Sequence, residues 1–193
     1  MKNDVRIDLL ARVARSAAHT SSQLDPVKSI SILSLAAASY GSRPTEDATV
    51  PTGFDPGAVA LFEALVEGAY LVATADGIFD DEEQRMFQGL VVAACGGTVA
   101  PHQVGALIGD LHDLLEEDGL DGRIERLART VTKREHALEV LRIAGLLGQA
   151  SNDVSDVERA VLCKIALKCG LESAAVDRAL EEVRVALSSV RSQ

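Results

Sequence analysis

The chain contains no tryptophan, and aromatic residues make up only 3% of its 193 residues. Prolines number five, and three of them fall between Pro44 and Pro56, so most of the chain is free of this helix breaker. Apolar residues still reach 47%, which is enough to form a core. Alanine, leucine and valine dominate them, and these residues suit close packing between helices. The composition therefore predicts one sizeable helical domain.

Positive charge is scarce, because 19 Lys and Arg stand against 29 Asp and Glu, for a formal net charge of −10. A nucleic-acid backbone would be repelled overall, and no stripe of basic residues offsets this. An anionic membrane surface is disfavoured for the same reason. The charge favours cations or a basic partner protein, whose identity the sequence does not specify. A homo-oligomer is a further option that it leaves open.

The early part of the sequence does not resemble a targeting signal. The chain begins with MKNDVRIDLL, which carries two aspartates and does not resemble a signal peptide. The most apolar early run, ISILSLAAASY, is about half the length that spans a bilayer. Cys95, Cys163 and Cys169 have no CxxC spacing, which favours buried thiols in a reducing compartment. We therefore expect a cytoplasmic protein without membrane insertion.

Local signals for helix ends divide the chain into eight or nine helices without strand alternation. Asp-Pro pairs at 25–26 and 55–56 predict an N-cap followed by a first-turn proline. The pairs Thr132/Glu135 and Ser155/Glu158 have the spacing of capping boxes. Glycine or Gly-Gly closes several of the helices, as at Gly170.

The organisation that follows has three parts. Residues 1–40 are predicted to form an N-terminal helical extension of two helices. Residues 41–54 are rich in Gly, Pro, Ser and Thr, have no period and predict an irregular linker. Residues 55–193 form the main helical domain, in which APHQVGALIGDLHDLLEED and LDGRIERLARTV are expected to be separate helices.

An internal repeat relates two segments of this domain at an offset of 75 residues. LVEGAYLVATADGIFDDEEQRMFQGLVVAACGG aligns with VLRIAGLLGQASNDVSDVERAVLCKIALKCGLE. Asp80 falls on Ser155 and Glu83 on Glu158, and Asp and Ser are interchangeable N-caps. Gly77 falls on Asn152, and both residues tolerate the left-handed conformation that ends a helix. The repeat predicts two pseudo-duplicated helical hairpins.

The segment ATADGIFDDEE, echoed by QASNDVSDVE, resembles the TerB-like (tellurite-resistance TerB) family over about residues 58–185. The first copy matches the family pattern A-D-G-x-[FI]-x-x-x-E, whereas the second has Ser151-Asn152 where the family often has Asp-Gly. The resemblance implies a TerB-like helical bundle built from two pseudo-repeated hairpins, and a role in stress response or tellurite resistance. It also implies divalent-cation binding through acidic residues.

Five carboxylates crowd the eight positions from Asp76 to Glu83 and allow two interpretations. In the first interpretation the acidic residues cap a helix. Asp80 is then the N-cap and Glu83 closes a capping box, while Asp81 and Glu82 are each stabilised by ~0.3–1 kcal/mol through the helix dipole. Asp76 does not fit this scheme, because it lies in the last turn of the preceding helix, where the dipole disfavours an anion.

In the second interpretation the acidic residues form a cation site. The resemblance implies that Asp76, Asp80 and Glu83 are its ligands. The second copy supplies a weaker set, Asp153, Asp156 and Glu158, because Ser151 replaces a carboxylate. Oxygen ligands would suit Ca²⁺, Mg²⁺ or Mn²⁺ rather than Zn²⁺. An EF-hand is excluded, because its residue types are missing at +2, +5 and +11 from Asp76.

Catalytic motifs are not found: the sequence has no GxSxG, no Gly-rich phosphate loop and no HExxH. The group His112, Asp113 and Glu116 is assigned to a solvated helix face. We therefore expect a non-enzyme. Two functions are favoured: a TerB-like module that binds a divalent cation weakly, and a metal-free protein–protein interaction or structural module in which the acidic turn only caps helices. A hydrolase that uses the acidic residues with a metal ion is a distant third.

Overall fold

The computed structural model describes residues 2–16, 31–42, 55–77, 79–149 and 154–191. This part of the chain is all-α, with eight helices and no strand, which confirms the predicted all-α class. The TerB-like bundle of two pseudo-repeated hairpins stays a prediction. The helices are α1 (Lys2–Arg15), α2 (Ile32–Gly41), α3 (Pro56–Ala73), α4 (Asp81–Ala94), α5 (Pro101–Thr130), α6 (Arg134–Gly148), α7 (Asp156–Lys168) and α8 (Ala174–Arg191).

Helix α3 is the centre of the bundle and packs on α2, α5, α6 and α7. Its sequence is apolar except for one stripe, and a helix that is apolar on its other faces is expected to be central. By length and composition α3 could also cross a membrane, but 61% of that window is buried inside the fold. Core helices of water-soluble proteins pass the same test, so the feature is weak evidence for a membrane span.

Helices α1 and α2 contribute to the same hydrophobic core as the predicted main domain. Helix α1 packs on α4 and α8, and α2 packs on α3. Leu10, Ala14, Leu33 and Ala37 are each at most 2% exposed within this core. The division of the chain into an extension and a domain stays a prediction. Most of the predicted linker, residues 43–54, lies outside the described part of the structure.

Helix α5 contains the break that separates the two helices expected there. Gly119 has φ 69° and ψ 166°, whereas the residues on either side are helical. A positive φ of this kind favours glycine, because a side chain would be strained there. The chain therefore changes direction at Gly119 without leaving the bundle.

Helix starts follow the predicted caps at three places and depart from them at a fourth. Asp55, Asp80 and Ser155 each accept hydrogen bonds from backbone N–H groups of the first turn. The predicted box at Thr132 is wrong, because α6 begins at Arg134 with Lys133 as its N-cap and no side-chain cap bond. Val131, just before Thr132, is buried, and its N–H still donates to the Leu127 carbonyl of α5, so α6 begins later than predicted. The pair at 25–26 lies outside the described residues.

The apolar pattern of the helices also predicts seven core residues, and all are buried, at 0–2% exposure: Leu65, Val72, Leu90, Leu141, Ile143, Leu162 and Ile165. Among the cysteines, Cys95 is buried, whereas Cys163 and Cys169 are only partly covered. Burial raises the pKa of the Cys95 thiol to about 12, so it stays protonated near neutral pH. The expectation of buried thiols is thus met in full only at Cys95.

Candidate binding site between the two hairpins

The α3–α4 junction forms the predicted capping box. Asp80 Oδ1 accepts from the backbone N–H groups of Glu82 and Glu83, both at 2.9 Å. In return, Glu83 Oε2 accepts from the Asp80 N–H at 3.3 Å. Gly77 ends the preceding turn with φ 79°, a conformation that a side chain would strain. Two of the five crowded carboxylates therefore satisfy backbone groups that the helix leaves unpaired.

The α6–α7 junction repeats this arrangement. Ser155 Oγ accepts from the Glu158 N–H at 3.3 Å, and Glu158 Oε2 accepts from the Ser155 N–H at 2.7 Å. Asp156 is exposed in the first turn of α7. Residues 150–153 lie outside the described part of the chain, and with them the candidate ligand Asp153.

A cavity of about 50 Å³ brings the two junctions together, because Glu83 and Glu158 both line it. Its walls are otherwise mostly apolar, and Phe79, Phe87 and Leu90 are among them. Each capping bond uses only Oε2 of its glutamate, so one oxygen of each carboxylate lies outside the capping boxes. Glu83 and Glu158, which the 75-residue offset aligns, thus line one cavity.

The other described candidates do not join Glu83 and Glu158 there. Asp76, Asp80 and Asp156 are exposed and are not among the residues that line the cavity. Among the residues that the structure describes, no group of three or more His, Cys, Asp or Glu could hold a metal ion. The arrangement offers a cation two carboxylates, one from each hairpin.

A larger groove of about 590 Å³ is also lined by Phe79 and lies between α3, the α3–α4 turn and α5. The Tyr70 hydroxyl and His112 Nδ1 are 3.3 Å apart at its floor. His112 Nε2 lies 3.8 Å from Glu116 Oε1, and the side chains of these two residues are 61% and 75% exposed. This exposure agrees with a solvated helix face. Burial raises the pKa of Tyr70, and the negative charges of Glu116 and Asp113 raise it further.

Two buried ion pairs were not found from the sequence. Arg123 Nε donates to Glu67 Oε1 at 2.7 Å and its Nη1 donates to Asp118 Oδ2 at 2.9 Å. Burial raises the pKa of Glu67 against the opposing effect of Arg123. The second pair joins Glu139 and Arg142, which are 3% and 5% exposed. A signal was present in the sequence, since Glu67 and Arg142 are charges within apolar stretches that the 75-residue offset aligns.

The acidic residues on either side of the break in α5 pair with basic side chains. Asp118 also accepts from Arg126 at 3.0 Å, and Lys164 donates to Asp121 at 2.8 Å. The hydrogen bond from Arg123 lowers the pKa of Asp118, as the nearby positive charges do.

Replacing Asp80 with alanine is expected to destabilise the protein by ~0.5–2 kcal/mol, because two N–H groups lose their acceptor. Ser155→Ala should have a similar effect at the equivalent position. Asp81→Ala is the control, because Asp81 lies in the same turn without capping it. Urea unfolding measures all three, and an Asp81→Ala loss as large as that of Asp80→Ala would contradict the capping role.

Comparisons of the chain with protein-family models, with curated proteins and with solved structures find no match. The TerB-like resemblance therefore stays a prediction that rests on the two quoted segments.

Proposed function

We propose that this chain is a TerB-like helical binding module that holds a divalent cation weakly between its two pseudo-repeated hairpins, α3–α4 and α6–α7. It would act in the cytoplasm, without catalysis, in a stress response of the tellurite-resistance kind, and would contact a partner protein. The observation that carries the cation site is that Glu83 and Glu158, one from each hairpin, line the same cavity.

The chemistry of this cavity suits a hard cation. Carboxylate oxygens are the ligands that Ca²⁺, Mg²⁺ and Mn²⁺ prefer. The volume of about 50 Å³ exceeds the ~10–15 Å³ that one water needs, so an ion could keep part of its hydration shell. Two carboxylates are few for such an ion, which is why weak binding is expected. They would also repel each other in the absence of a cation.

Melting curves with and without Ca²⁺, Mg²⁺ or Mn²⁺ test the proposal. At a cation concentration ten times its Kd, mass action stabilises the fold by ~1.4 kcal/mol, or about 3–6 °C in Tm for a chain of this size. Glu83→Gln and Glu158→Gln should each abolish that rise. Glutamine keeps an oxygen acceptor for the capping box, so the fold should survive.

Two further variants locate the site. Glu82→Gln is the matched control, because it removes one charge from the same turn of α4 but not from the cavity, and its cation-dependent rise should persist. Asp76→Asn should also keep most of the rise if the cation lies between Glu83 and Glu158. Loss of the rise in Asp76→Asn but not in Glu158→Gln would move the site to the α3–α4 turn.

The alternative function is a metal-free protein–protein interaction or structural module in which the acidic turn only caps helices. It is favoured by the capping bonds that Asp80 and Glu83 both make. Under this alternative no divalent cation changes the Tm of the wild type. That single result would replace the cation site with the metal-free module.

A further inference from the structure

The groove beside Phe79 combines an apolar floor with an acidic edge. Phe79, Ile108 and Leu115 contribute apolar surface, and Asp113 and Glu116 supply two carboxylates from α5. No lysine or arginine is among the described residues that line it. Because the whole chain carries a net charge of −10, a positively charged group would be drawn to this face.

The negative charges of Asp113 and Glu116 affect the pKa of Tyr70, which lines the groove. Tyr70 is 1% exposed, and Asp113 and Glu116 both act to raise its pKa, after burial itself. Lysine and arginine side chains match such a surface, because their aliphatic stems cover apolar groups while their charged ends reach carboxylates. Arginine adds a planar fork of donors that suits carboxylate oxygens.

The shape of the groove favours a protein segment over a small molecule. A volume of about 590 Å³ lies within the usual range of ligand pockets. Such pockets bury most of a small ligand, whereas here the edge is open, with His112 and Glu116 side chains 61% and 75% exposed. A partner surface could cover that edge, and a free small molecule would leave it in solvent.

We propose that this groove binds a basic amphipathic segment of a partner protein, with an arginine or lysine side chain lying over Phe79 and reaching Asp113 and Glu116. The proposal rests on the chain being a binding module, and it does not depend on the cation cavity. It names the surface and the chemistry of the partner that a binding module requires.

The test is an NMR titration of the labelled full chain in EDTA with a defined peptide, acetyl-Ala-Leu-Arg-Ala-Leu-Arg-Ala-amide. A second peptide has citrulline, a neutral isostere, at both arginine positions. We expect the arginine peptide to shift the resonances of Phe79, Gly109 and His112 in a saturable way, and the citrulline peptide to bind at least about fivefold more weakly.

Three variants make the result specific to the groove. Asp113→Asn combined with Glu116→Gln should weaken the arginine peptide about fivefold, because two exposed charge contacts are lost. Gly109→Leu should weaken it by more than about tenfold, because a Cβ at Gly109 points into open space and a larger side chain would fill the groove. Glu117→Gln removes an exposed charge from the same helix but not from the groove, and should change affinity by less than about twofold.

Several results would overturn the proposal. The first is that no saturable binding is seen, and the second is that the citrulline peptide binds as tightly as the arginine peptide. The others are that Glu117→Gln loses as much affinity as the groove variants, or that the shifted resonances belong to residues outside the groove. Butylguanidinium binding as tightly as the peptide would identify a small organic cation instead. Concentration-dependent shifts at the groove without peptide would identify a second copy of the chain. Failure of the cation melting experiment alone leaves this proposal standing, because the titration contains EDTA.

Discussion

Arg142→Met is expected to destabilise the protein by about 3–5 kcal/mol, the usual cost of leaving a buried charge without its partner. Arg142 donates from Nε and Nη2 to the two carboxylate oxygens of Glu139, both at 2.7 Å. Its Nη1 and Nη2 also donate to the carbonyl oxygens of Val13 and Ala14, both at 3.1 Å. These carbonyls belong to the last turn of α1, so one side chain joins α6 to the N-terminal helix.

Equilibrium unfolding in urea gives the free energy for this comparison. The matched control is Arg184→Met, because Arg184 pairs with Glu181 at the same three-residue spacing on α8 but is 69% exposed. Exposed pairs of this kind contribute little, so the control should unfold nearly as the wild type does. Equal losses in the two variants would mean that burial is not the source of the effect.

A double variant separates the two parts of the Arg142 effect. Glu139→Met combined with Arg142→Met removes both charges, so the buried carboxylate no longer lacks a partner. Stability should then recover in part. The loss of unfolding free energy that remains in the double variant measures the missing hydrogen bonds from Arg142 to the Val13 and Ala14 carbonyls.

Leu141→Ala is expected to cost ~2–5 kcal/mol, through lost transfer energy and the cavity that remains. Leu141 is 1% exposed on α6, the helix that packs on α3 at the centre of the bundle. Leu167→Ala is the control, because Leu167 is 63% exposed and its truncation opens no internal cavity. Urea unfolding again measures both, and a Leu141→Ala cost near zero would show that the two hairpins share no core at this residue.

Capping chemistry explains why most helix starts were predictable. The groups that Asp55, Asp80 and Ser155 bind lie two or three residues further along the chain, so the bonds form wherever the helix does. Thr132 had the same local pattern and did not cap, because the preceding residue Val131 is held in the core and bonded to α5. Packing overrode the local signal there.

Candidate ligands were predictable only as types of residue. The spacing of the residues correctly predicted Glu83 and Glu158 as the closing residues of two capping boxes. Nothing in their spacing indicated that the two side chains line one cavity, because that depends on how the hairpins pack. Asp76 is exposed and does not line this cavity.

The sequence by itself determined the all-α class, the central position of α3, the break at Gly119 and three of the helix caps, because each depends on residues a few positions apart. Tertiary structure alone decided the pairing of Glu67 with Arg123, 56 positions away, and the contact of Arg142 with the Val13 carbonyl, 129 positions away. It also joined the acidic turns at one cavity and formed the groove beside Phe79. Contacts between distant residues depend on the packing of whole helices, which no local pattern encodes.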